Sequence, residues 1–158
     1  MTGTSKKVAV IGLGNTLHRD DGIGIHLLSL LEENVSRVDI SFMNFGVASL
    51  GLLNYLGAFK KILLVDAIDA GLEPGVLRIF RLSDAASRVK DKKAISRDLP
   101  LADLSRLYEA FGFSADVLIA GVQVKDVSYG LEMTEELQTA KGRLVEEIKS
   151  FLAEWHKD

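Results

Sequence analysis

No cysteine occurs among the 158 residues. That excludes disulfide cross-links, thiolate metal ligation and a cysteine nucleophile, and it fits a reducing compartment. No long basic run is present and the formal net charge is −3, which argues against general nucleic-acid binding. No apolar stretch is long enough to span a bilayer, and the polar residues 1–7 lack the apolar core of a signal peptide. The expectation is a cytoplasmic protein with no membrane or nucleic-acid partner. Internal repeats, low-complexity segments and linkers are also missing, so residues 1–158 read as one domain. What remains is ordinary for a globular chain: 47% hydrophobic and 26% charged residues, enough to bury a core without staples.

The chain is organised around Ile11-Gly12-Leu13-Gly14-Asn15-Thr16-Leu17-His18-Arg19-Asp20-Asp21-Gly22-Ile23-Gly24. A β-branched run, Val8 to Ile11, precedes it, and Ile23, Leu27, Leu30 and Leu31 follow at helical spacing. This is strand, glycine-rich turn, helix, with the helix beginning near Asp21. In open α/β sheets such a turn lies where ligands bind. Gly12 and Gly14 start a dinucleotide fingerprint, but Leu17 stands at its third glycine, and Asp20 and Asp21 would repel a pyrophosphate. Either Asp can cap the helix. One suffices, which leaves the other for the crevice.

Downstream, Val38–Met43 alternates as a strand, and Leu50–Leu56 has the spacing of a short helix. Ile62–Val65 is an apolar run suited to a parallel strand buried on both faces. It ends at Asp66-Ala67-Ile68-Asp69. A turn, Ala70–Gly75, leads to an alternating strand, Val76–Leu82, interrupted by Arg78 and Arg81. Residues 83–98 are the most polar stretch and read as a long loop. Leu101–Phe111 has helix spacing and Val117–Val122 strand character. Thr134, Glu135 and Glu136 open a C-terminal amphipathic helix with an apolar stripe from Leu137 to Leu152. The alternation predicts an α/β three-layer sandwich: a mostly parallel, twisted sheet of about five strands with helices on both faces.

Asp66 ends a buried strand. A desolvated carboxylate there seeks a cation, a metal or a donor, although a cap or turn role is the plainer reading. If its strand neighbours Val8–Ile11, Asp21 and Asp66 converge at one rim and repel each other unless a cation lies between them. His18 shares the first turn, His26 lies beside the helix stripe and His156 in the tail. Each reads first as a structural or solvated residue.

The series Gly12-x-Gly14-Asn15, Asp20-Asp21-Gly22-x-Gly24, Val65-Asp66-Ala67-Ile68-Asp69, Glu73-Pro74-Gly75 and Gly121-Val122-Gln123 resembles the hydrogenase maturation endopeptidases. The resemblance extends over most of the chain. It implies an enzyme that removes the C-terminal extension of a nickel-loaded nickel–iron hydrogenase large-subunit precursor. It also implies nickel, supplied by that precursor, contacted by Asp21 and Asp66, and no Ser or Cys nucleophile. The family's third metal contact is a His in a segment resembling Ser-x-His-Asp-x-x-Leu. Here that segment reads Ser96-Arg97-Asp98-Leu99-Pro100-Leu101, with Arg97 at the His position, and Asn44 stands where the family often has Asp. Arginine stays protonated and offers no lone pair to a metal. Two functions therefore stand beside each other: an active maturation peptidase, with Asp98 or His18 as replacement ligands, or a non-cleaving relative in which Arg97 pairs with the two carboxylates. A nucleotide-binding domain is the third alternative, opposed by Leu17.

Overall fold

The computed structural model describes residues 8–47, 49–55, 57–84 and 101–157. Five strands form one sheet: β1 Val8–Leu13, β2 Ile40–Gly46, β3 Lys61–Ile68, β4 Leu77–Arg81 and β5 Asp116–Gln123. Their order is β2-β1-β3-β5-β4, parallel except for β4, which pairs antiparallel with β5 at one edge. The helices are α1 Ile23–Asn34, α2 Leu101–Ala110 and α3 Glu135–Trp155. The α/β sandwich expected from the sequence is the observed architecture. Leu50–Leu56 differs in kind: Ser49–Asn54 is a 3-10 helix.

The central strands are buried along their length because both faces are covered. The strand period of two divides them. Val8, Val10, Leu63, Val65, Ala120 and Val122 meet α1 and α3 on one face. Ala9, Ile11, Ile62, Leu64 and Ile119 meet Leu52, Leu82 and Leu104 on the other. α1 buries Ile23, Leu27, Leu28 and Leu31, and α3 buries Leu137, Leu144, Val145, Ile148 and Leu152, so the two stripes read from the sequence are their core faces. Arg78 and Arg81 are exposed on edge strand β4, where charge discourages pairing with another chain. No helix among the described residues is long and apolar enough to cross a membrane.

Two features of this frame position the site. From β1 the chain crosses to β2 through α1 and returns past β1 to β3, so the carboxyl ends of β1 and β3 flank a topological switch point. α1 also sits unusually close to the sheet: a Cβ on Gly24 would overlap the carbonyl oxygens of both Leu13 and Val65. The close-approach glycine absent at Leu17 is therefore supplied seven residues later, by Gly24.

Candidate active site at the rim of the sheet

β1 and β3 pair in parallel up to Gly12 and Val65, and Asp66 is the next residue; it does not end its strand as expected, because β3 runs on to Ile68 through its pairing with β5. Asp66 has no accessible surface. Its Oδ1 accepts the Ala67 N–H at 2.8 Å, while its Oδ2 is buried with no hydrogen-bond partner. Burial pushes the Asp66 carboxyl up to about 8, the Ala67 N–H opposes this, and the nearby Asp21 charge adds to it. At neutral pH the group therefore holds a proton unless a cation replaces it.

Asp20 and Asp21 follow a backbone reversal into a 3-10 turn, Arg19–Gly22, that leads directly into α1. The capping expectation fails for both. Gly22 occupies the α1 N-cap and no side chain caps it. The Asp20 side chain turns away to the loop between β5 and α3. It accepts the backbone N–H of Lys125 at 2.9 Å, of Asp126 at 3.0 Å and of Thr134 at 2.8 Å, and the Thr134 hydroxyl at 3.0 Å. Thr134 sits at the N-cap of α3 as expected, yet its hydroxyl serves Asp20 and not the helix. Asp21 is 9% exposed, and its Oδ2 accepts the Asn15 N–H at 3.0 Å, closing the turn. The structure thus brings Asp21 and Asp66 to one rim and assigns the adjacent Asp20 to construction.

Gln123, at the end of β5, is a residue whose role the sequence reading missed. It is buried, and its Oε1 accepts the N–H groups of Ala70 at 2.8 Å and Leu72 at 3.2 Å. Its Nε2 donates to Asp69 Oδ1 at 3.0 Å and to the Val124 carbonyl at 2.9 Å. One amide thereby fixes the segment that follows β3 and the Asp69 carboxylate on it. The available signal was a lone amide directly after an apolar strand.

His18 belongs to the turn that carries Asp21, its carbonyl accepting the Asp21 N–H at 3.0 Å. His18 Nδ1 is 3.2 Å from the Val127 carbonyl, and its ring packs edge-on against Tyr129. His26 is half-buried on α1, and desolvation, with Lys141 nearby, lowers its pKa. His156 Nδ1 lies 3.1 Å from the Leu152 carbonyl. Arg97 and Asp98 fall outside the described residues. Among the described residues no three His, Asp or Glu side chains gather as a metal cage. A cation at this rim would gain Asp66 Oδ2 and the Asp21 carboxylate, oxygen ligands suited to a divalent ion, and its other ligands would come from elsewhere.

Residues 25–151 match the family model described as hydrogenase maturation protease. A hydrogenase expression/formation protein, HupM, of Azotobacter chroococcum mcd 1 is 26% identical over 98% of this chain and 75% of the relative. A Methanocaldococcus jannaschii protein provisionally named a hydrogenase maturation protease is 30% identical over 90% of this chain and 94% of that protein. Among solved structures, the nickel–iron hydrogenase maturation protease HycI of Thermococcus kodakarensis KOD1 superposes with a TM-score of 0.75. It is 25% identical and covers 94% of this chain and 93% of its own. The hydrogenase maturating endopeptidase HybD of E. coli, at 21% identity and a TM-score of 0.78 over 94% and 93% of the two chains, shares the fold. With the motif series and a family match over most of its length in agreement, this chain belongs to the hydrogenase maturation proteases.

Proposed function

We propose that the protein is an endopeptidase that removes the C-terminal extension of a nickel-loaded nickel–iron hydrogenase large-subunit precursor in the cytoplasm. Asp21 and Asp66 contact the nickel that the precursor carries. The observation behind this reading is the Asp66 carboxyl group: fully buried, with Oδ2 unpartnered, beside the charge of Asp21. A protein retains such a costly group where a ligand offsets its desolvation. The metal belongs to the substrate, so the pair reads whether the precursor is loaded, and an aspartic type of site accords with the absence of cysteine.

The test is cleavage of a purified nickel-loaded precursor, followed by the mass of its large subunit. Wild type shortens the subunit, and Asp21→Asn and Asp66→Asn each slow this by at least about 100-fold, the scale on which loss of a site group acts. Both variants cutting at the wild-type rate would remove the carboxylates from the site. A wild type that binds without cutting, while Arg97→His cuts, would replace the enzyme with the non-cleaving form.

A further inference from the structure

Arg19 adopts a left-handed backbone, with φ of +47°. It is the only described non-glycine residue to do so. A side chain bearing a Cβ resists that conformation, so surrounding contacts must hold it. Among the described residues, those contacts come from the loop between β5 and α3. The Arg19 N–H donates to the Gly130 carbonyl at 2.9 Å, and the Gly130 N–H donates to the Leu17 carbonyl at 2.8 Å. The Arg19 guanidinium lies flat against Gly130: a Cβ there would come within 2.8 Å of Cζ and 2.9 Å of Nε. Its Nη1 reaches the Glu132 carbonyl at 3.4 Å, and its Nε lies 3.9 Å from Asp126 Oδ2. The reversal at Arg19 then delivers the next two residues in opposite directions. Asp20 enters the 125–134 loop, and Asp21, whose N–H donates to the His18 carbonyl at 3.0 Å, turns back to accept the Asn15 N–H.

We infer that Arg19 is a positioning residue: its guanidinium, clamped on Gly130, holds the left-handed reversal that aims Asp21 at the rim beside Asp66. The pair is fitted by size, since a Cβ at Gly130 would force the guanidinium to shift off it and a smaller residue at Arg19 would leave nothing to clamp. The meaning for catalysis rests on the function proposed above. The positioning itself does not.

The direct readout is hydrogen exchange at the Asn15 amide, which reports whether Asp21 Oδ2 is in place. Arg19→Ala and Gly130→Ala are compared with wild type and with each other in combination. Arg19→Ala keeps the Cβ that resists a positive φ and loses the guanidinium, so it is expected to speed Asn15 exchange at least about tenfold while amides of β3 and β5 keep their rates. Gly130→Ala gives the same local effect, and the double variant adds little to either, because both remove one clamp. With a loaded precursor, Arg19→Ala lowers kcat about tenfold at unchanged KM, the pattern of a misplaced group and not of lost binding. Unchanged Asn15 exchange in both single variants overturns the inference. Exchange is read on the protein alone, so a wild type without peptidase activity would sink the functional reading and leave this result standing.

Discussion

At Asp66 the carboxyl group keeps one oxygen bonded to the Ala67 N–H and the other buried without a partner. Its pKa, pushed from 3.8 to about 8, has a consequence for stability that can be signed. Below about pH 4 the folded and unfolded chains both hold the proton, and the group contributes no difference. As pH rises, the unfolded chain releases the proton that the folded one retains, so stability falls until about pH 8 and then levels. The limit set by that displacement is roughly 6 kcal/mol. Urea unfolding of the metal-free protein is expected to show this loss in wild type, and Asp66→Asn to flatten it. A wild-type slope equal to that of the variant would mean that the charge is not buried. Asp20, by contrast, has both carboxyl oxygens hydrogen-bonded. Asp20→Ala strands three backbone N–H groups and is expected to cost about 3 kcal/mol or more. The two neighbouring aspartates were indistinguishable in the sequence as cap and site. What separates them is a loop more than a hundred positions downstream, which no local pattern encodes.

The β1–α1 turn was legible as strand, turn and helix because β-branched residues and a helical stripe frame it. The carboxyl ends of β1 and β3 were legible as a rim because one apolar run leads into the glycine-rich turn that carries Asp21 and the other leads into Asp66. The Gly24 contact was not legible from the fingerprint, which looks for a close-approach glycine five residues after Gly12. Here a 3-10 turn intervenes, and the approach shifts to the second residue of α1. Gly24→Ala therefore carries a large expected cost. Its methyl group would collide with two backbone carbonyls, one from each strand, and backbone cannot yield as a side-chain tip does. The loss expected in thermal or urea unfolding is about 3 kcal/mol or more, against roughly 1 kcal/mol of gain expected from helix propensity alone. A stabilised Gly24→Ala variant would show that the helix can lift from the sheet freely. The same reasoning explains Thr134: its position before Glu135 correctly marked the start of α3, but its hydroxyl is taken by Asp20, a choice set by tertiary contact and invisible in the capping pattern.

For the molecule as a whole, the sheet order joins the acidic pair to the event the enzyme is proposed to sense. Gln123 fixes the segment after β3, and the Asp20 carboxylate fixes the turn after β1, so Asp21 and Asp66 are held on rigid supports from both sides. A rigid pair with one trapped proton makes a specific forecast for the encounter with substrate. Below about pH 8 the Asp66 proton must leave before a cation can take its place, so binding a nickel-loaded precursor releases protons to buffer. Titration calorimetry in two buffers of different ionisation enthalpy measures that number directly. At pH 6.5, set here as roughly one and a half units below the folded value, about one proton per complex is expected for wild type. Asp66→Asn is expected to release none from this site, and a precursor without nickel likewise. The affinity of wild type for the loaded precursor should also climb with pH up to about 8 and then level, whereas affinity for the unloaded precursor should not follow that curve. A heat of binding identical in both buffers would separate the carboxyl group from the metal. The buried proton would then belong to folding alone, and recognition of the loaded precursor would have to be sought elsewhere on the molecule.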